Sequence, residues 1–183
     1  MKDLYRAALD DLAAVFARLD RAAVDRAVDA IASARRIALY GVGREGLQVK
    51  GFAMRLFHLG LQASVVGDMT TPHLGAGDLL MVSAGPGHFS TVAALMSVAR
   101  RDGARTLVVT AQPQGECPRA ADLVLVVPAQ TMASDQGPSA SVLPMGSLYE
   151  GAQYVLFEVM ILILGERLGV ATEAMRARHT NLE

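Results

Sequence analysis

The chain has 183 residues, enough for a single domain to bury a sizeable core without staples, and is 52% hydrophobic against 19% charged. A net charge of -1 and the absence of a basic block exclude nucleic acid as the main partner, and the lone Cys117 excludes an intrachain disulfide or a thiolate metal site. The apolar surplus points to a buried subunit interface, hence to a homo-oligomer.

Met1-Lys-Asp-Leu-Tyr-Arg6 leads straight into an amphipathic pattern with charges throughout, so no signal peptide is read and a reducing cytoplasm is expected. Leu4, Ala8, Leu12, Val15, Phe16 and Leu19 recur at helical spacing, predicting a helix over 3–19. Val24, Val28 and Ile31 predict a second over 21–33. The two form a helical extension, 1–34, ahead of an α/β unit. The first strand is expected at 37–40, a helix at 46–59 closed by Gly60, and a second strand at 62–66. The hydroxyl-rich loop 67–72 follows. The third strand, 78–83, is apolar on both faces, as a central parallel strand should be. A helix over 90–101 with Ser90 or Thr91 near its N-cap, a strand at 106–109 and a strand at 123–127 complete the alternation. That alternation predicts an α/β domain spanning 1–183, a mostly parallel five-stranded sheet flanked by helices.

Residues 128–144 carry no periodicity and are rich in Ser, Ala, Gln, Gly and Pro, which predicts a long loop of the kind that is often functional. A long helix is expected over 146–168, with Gly169 ending it. Its most apolar part, 154–165, is interrupted by Glu158 and is shorter than the roughly 20 residues of a bilayer span, so it is read as a buried helix and no membrane partner is expected. The tail 175–183 is polar and has the composition of a frayed terminus.

The chemistry concentrates where strands end in glycine. Gly41-Val-Gly43-Arg44-Glu45-Gly46 turns an apolar strand into a helix whose first N–H groups face any ligand there. Its spacing is not that of G-x-G-x-x-G, and it lacks the Gly-Lys-Ser/Thr ending of a nucleotide loop, so a small-ligand pocket is expected. With strand order 2-1-3-4-5, this turn and Ala84-Gly-Pro-Gly-His88 line one crevice at the carboxyl edge of the sheet. Arg44, Ser83, His88, Ser90 and Thr91 can donate into it, which suits a small anionic or polyhydroxyl ligand. His58, His73 and His88 have no ligand-like spacing, so no metal is expected. Met54, Met81, Met96 and Met160 read as core filler.

Several segments together resemble the 6-phospho-3-hexuloisomerase family of the sugar isomerase (SIS) domain superfamily. They are Gly-Val-Gly-Arg-Glu-Gly-Leu47, Phe52-Ala-Met-Arg-Leu-Phe-His-Leu-Gly60, Val66-Gly-Asp-Met-Thr-Thr-Pro72, Pro144-Met-Gly-Ser-Leu-Tyr-Glu150 and Arg178-His-Thr-Asn-Leu-Glu183. The resemblance implies a three-layer flavodoxin-like domain, a dimer or tetramer, no metal or other cofactor, and an intramolecular oxidoreductase. Its substrate would be a sugar phosphate, a 3-hexulose 6-phosphate converted to fructose 6-phosphate through an enediol. It assigns Glu150 as general base and His179 as a relay, carried on a tail, 172–183, that docks on a neighbouring subunit. Gly41, Gly43, Arg44, Glu45, Ser83, Gly85, Gly87, His88, Ser90 and Thr91 fall on its substrate- and phosphate-binding loops.

The phosphate loops depart from the family pattern. Glu45 stands where Gly-x-Gly-Arg-Ser-Gly has serine, and in place of Ser-Gly-Ser-Gly-Glu-Thr the chain has Ser83-Ala-Gly-Pro-Gly-His88. Pro86 also removes a backbone donor. Two expectations follow: Glu45 points away or pairs with Arg44 while His88, Ser83, Ser90 and Thr91 rebuild the phosphate site, or the pocket has changed ligand. A non-catalytic or altered-specificity sugar-binding protein is the alternative to an isomerase.

Overall fold

The structure, a computed structural model, describes residues 3–135 and 141–182. Helices α1 (Leu4–Ala17) and α2 (Arg21–Ser33) open it, each started by an aspartate, Asp3 and Asp20, whose side chain accepts a first-turn N–H. There follow β1 (Ile37–Gly41), α3 (Gly43–His58), β2 (Ala63–Val65), β3 (Leu79–Ser83), α4 (Ser90–Arg101), β4 (Arg105–Thr110), α5 (Glu116–Ala120), β5 (Leu123–Val126), α6 (Ser147–Leu168) and α7 (Thr172–Ala177). The five strands are all parallel in the order β2-β1-β3-β4-β5.

Side chains alternate across the sheet with the strand period of two. Leu79, Met81, Leu107 and Val109 join the core beneath α2, α3 and α6, while Leu80, Val82 and Val108 join Val92, Met96 and Ala99 of α4 on the other face. Burial on both faces is why these strands are continuously apolar. On the larger face Phe52 and Phe157 stack with ring centroids 4.4 Å apart, fixing α3 against α6.

Helix α6 is 22 residues long, so it meets the length and hydropathy of a membrane span that its central segment alone does not. Leu148, Ala152, Leu156, Phe157, Met160, Ile161 and Leu164 are buried against the rest of the fold, which makes it the central helix of the larger core.

Other details differ from expectation. Helix α3 begins at Gly43, three residues early, because its first turn folds directly off β1: a Cβ on Gly46 would lie 2.5 Å from the Gly41 carbonyl oxygen. Ser90 and Thr91 do lie next to the N-cap of α4, but that N-cap is Phe89 and no side chain caps it. Met54 is 45% exposed rather than core, while Met81, Met96 and Met160 are buried. The tail is helical over α7, and Arg178 Nη1 donates to the His58 carbonyl at 2.9 Å, so its first part is docked rather than frayed. The described parts of the long loop are also fastened. Asp11 of α1 accepts from Ser141 Oγ at 2.7 Å and Val142 N at 2.9 Å, and Arg18 donates to the Pro128 carbonyl at 2.8 Å. The rest of that expected loop, residues 136–140, lies outside the described residues.

Candidate active site

The sheet's strand order reverses between β1 and β3, where Gly41 and Ser83 lie side by side in register. Beyond them opens a cavity of about 550 Å³, bounded by the first turn of α3, the turn after β3, the two ends of the 128–146 connection and the start of α6. Met145 and Gly146, at φ 56° and 81°, turn the chain into α6 through two successive left-handed residues. For methionine that backbone is strained, and the strain sits on the cavity wall.

Arg44 spans the cavity. Its Nε pairs with Glu150 Oε2 at 3.1 Å, Nη1 donates to Ser147 Oγ at 3.1 Å, and Nη2 donates to the Met145 carbonyl. Burial raises the Glu150 carboxyl above its ordinary range and the Arg44 guanidinium works against that rise. A carboxylate of this kind, in the first turn of α6 and opening on a cavity, can take and return a proton.

Glu45 does not pair with Arg44. It turns into the protein, where Oε2 accepts from Ser83 Oγ at 2.5 Å and from Gly85 N at 2.9 Å. The expectation that Glu45 points away from the phosphate loop or pairs with Arg44 is overturned, because its carboxylate closes on that loop's own donors. Burial pushes its carboxyl up, the bonds from Ser83 and Gly85 oppose that, and Glu150 adds to the rise. Behind it, Gln153 Nε2 donates to Ser83 Oγ at 2.8 Å, and the buried Tyr149 hydroxyl stands 3.3 Å from the same oxygen.

The structure brings Gly43, Arg44, Glu45 and Glu150 to the cavity wall. Gly41, Ser83 and Gly85 sit just behind it, at the strand ends and under the Glu45 carboxylate. The Gly87 amide donates to the Ala84 carbonyl at 2.8 Å. His88 faces away, its Nδ1 3.1 Å from Glu116. Ser90 and Thr91 are exposed in the first turn of α4. His179 stacks on His58 with ring centroids 5.1 Å apart, beside a second cavity of about 510 Å³ bordered by Ile161 to Glu166 of α6. Those residues lie more than ten positions beyond Glu150, at least about 15 Å along the helix, so one chain does not bring His179 to Glu150.

Tyr149, Gln153 and Thr131 join the site without standing out in the sequence. The first two are spaced i, i+4 on the buried face of α6, where a polar residue in an apolar run is the available signal. Among the described residues, no group of three or more His, Cys, Asp or Glu is placed to hold a metal ion.

This crevice at the carboxyl edge of a 2-1-3-4-5 sheet coincides with a family match: the profile of the SIS domain covers residues 30–152. The chain belongs to the SIS domain family. Within it, the chain is 34% identical to the 3-hexulose-6-phosphate isomerase of Bacillus subtilis over 159 residues, 87% of this chain and 86% of that one. It is 36% identical to the enzyme of the same name from Mycobacterium gastri over 174 residues, 95% and 87% of the two chains. A solved structure from Methanococcus jannaschii, for which a function of 3-hexulose-6-phosphate isomerase was inferred, superposes with a TM-score of 0.85 at 27% identity and 98% coverage of both chains. The NanR protein of Vibrio vulnificus, solved in complex with ManNAc-6P, shares the fold at 20% identity and a TM-score of 0.74, over 94% of this chain and 64% of that one.

Proposed function

We propose that this protein is a sugar-phosphate isomerase of the SIS family that interconverts a 3-hexulose 6-phosphate and fructose 6-phosphate through an enediol, a reading supported by its similarity to relatives named 3-hexulose-6-phosphate isomerase. The observation that carries it is the Arg44–Glu150 pair on the wall of the switch-point cavity. Glu150 removes the proton on C2 of the 3-hexulose, leaving a 2,3-enediol, and returns it to C3 so that the carbonyl forms at C2. The proton on the C2 oxygen must meanwhile reach the C3 oxygen. His179 performs that transfer only if a neighbouring subunit supplies it, since in its own chain it stands at the far end of α6. A homodimer or homotetramer in the cytoplasm, with the tail held on its own chain as described and its His179 side facing a neighbouring subunit's cavity, completes this reading.

Turnover of 3-hexulose 6-phosphate by the purified protein tests it. Glu150→Gln keeps the shape and removes the base, and the expected loss is about 10²–10⁴-fold in kcat. A folded wild type that converts none of the substrate rejects the isomerase for that sugar.

A second reading, altered specificity without this turnover, is favoured by the inward Glu45. A thermal-shift screen of sugar phosphates against neutral sugars separates the two, because a ligand that binds only the folded chain raises its apparent stability.

A further inference from the structure

We infer that Glu45 is the specificity-determining residue of the cavity: its carboxylate fills the anion cradle at the start of the β3–α4 turn from within, so a sugar's phosphate adds little to binding and recognition rests on hydroxyl groups. This rests on the cavity being the sugar site, not on turnover.

The donors at the start of that turn, from Ser83 to Gly87, are all committed. Ser83 Oγ and Gly85 N donate to Glu45 Oε2 at 2.5 and 2.9 Å. Ala84 N donates to the Val109 carbonyl at 2.9 Å, Pro86 has no N–H, and Gly87 N donates to the Ala84 carbonyl at 2.8 Å. A phosphate placed there must displace a carboxylate that already holds two of these donors.

The fit is built, not incidental. A Cβ on Gly85 would lie 2.7 Å from Glu45 Oε1 and 2.9 Å from Tyr149 Cε1. The missing side chain at 85 and the long acid at 45 are therefore one arrangement: the glycine leaves the volume that the carboxylate occupies. Glu45 also sits in the first turn of α3, where its own negative charge already matches the helix dipole that would otherwise favour an incoming anion.

The remaining charges give a phosphate no compensation. Arg44 is engaged by Glu150, so a dianion entering the cavity meets two carboxylates and a guanidinium already paired with one of them. Thr131, 2% exposed and on the same cavity wall, has a hydroxyl without a hydrogen-bond partner among the described residues. A neutral hydroxyl that both donates and accepts suits a sugar hydroxyl.

The test is the affinity of the full-length protein for fructose and for fructose 6-phosphate by titration calorimetry, with inorganic phosphate as a competitor. The expected preference of the wild type for the phosphorylated sugar is about tenfold or less, with no competition from millimolar phosphate. Glu45→Ser frees both donors and is expected to widen that preference by at least about tenfold. Should Glu45→Ser fail to fold, Glu45→Gln keeps the shape, removes the charge and is expected to move the preference the same way by less. A wild-type preference well above tenfold, or one that neither variant moves, overturns the role of Glu45 while leaving the isomerase reading intact. Binding of neither sugar rejects the sugar site itself and this inference with it.

Discussion

Gly85→Ala adds one methyl group at the base of the cavity, and its consequence can be worked from the atoms around it. The new Cβ would stand 2.7 Å from Glu45 Oε1, 2.9 Å from Tyr149 Cε1 and 3.2 Å from Tyr149 Cδ1, all inside the roughly 3.5–4 Å of a comfortable contact. Both neighbours are buried, Glu45 at 8% and Tyr149 at 1% exposure, so relief requires Glu45 to leave its bonds from Ser83 and Gly85 or the Tyr149 ring to shift. Overpacking of this kind costs about 1–3 kcal/mol, and the upper half of that range is expected because moving the carboxylate also loosens its bonds from Ser83 and Gly85. In a Glu45→Ala background the same substitution meets only the Tyr149 ring, which can turn into the vacated volume, and its cost should fall to about 1 kcal/mol. Urea denaturation of the wild type, both single variants and the double variant at one fixed protein concentration gives the coupling directly. A coupling of about 1–2 kcal/mol is expected, whereas additivity within about 0.5 kcal/mol would refute the shared-volume account.

Three further outcomes are expected. Phe157→Ala removes one ring of the Phe52–Phe157 stack from a fully packed seam and should cost about 3–5 kcal/mol by chemical denaturation. Asp78 accepts from Arg35 Nε at 3.0 Å, Arg35 Nη2 at 2.9 Å and Gly75 N at 2.9 Å, and the guanidinium holds its carboxyl below the ordinary range. A depressed carboxyl contributes stability that is complete above its unfolded pKa and vanishes as pH falls through the folded one. The deficit of Asp78→Asn in urea midpoint should therefore be full near pH 6 and close below about pH 4. On the outer surface, Leu9 of α1 and Leu162 of α6 are 64% and 67% exposed. If the proposed homo-oligomer is built on this face, Leu162→Glu reduces the molar mass measured by light scattering, and an unchanged mass counts against this face as an interface.

The architecture was legible because its signals are long. Apolar runs at 37–41 and 79–83, each followed by a glycine turn and a helical periodicity of twelve residues or more, leave few topologies open, and the 2-1-3-4-5 order is what the structure shows. What escaped was short. Helices α5 and α7, of five and six residues, are too brief to display a period, and α7 lies in a tail whose polarity resembles that of an unstructured end. Side-chain chemistry sets Ser90 or Thr91 near the N-cap of α4, and the chain enters the helix through an extended Phe89 that leaves both hydroxyls inside the first turn.

The candidate site divides along a different line. Arg44 and Glu150 stand out in sequence because charges beside a glycine turn and at the head of an apolar helix are conspicuous. The structure places them 3.1 Å apart. Glu45 and Gly85 were conspicuous too, yet each alone reads as damage to an anion loop: a negative charge added at one position, a side chain lost at another. Forty residues separate them in the chain, and nothing in either segment states that one fills the space the other vacates. Only the shared volume beside Tyr149, with both loop donors closing on one carboxylate oxygen, joins the two losses into a single gain of fit. Where the first donors of a loop, Ser83 to Gly87, are satisfied inside the protein, selectivity follows from what they no longer have free to offer.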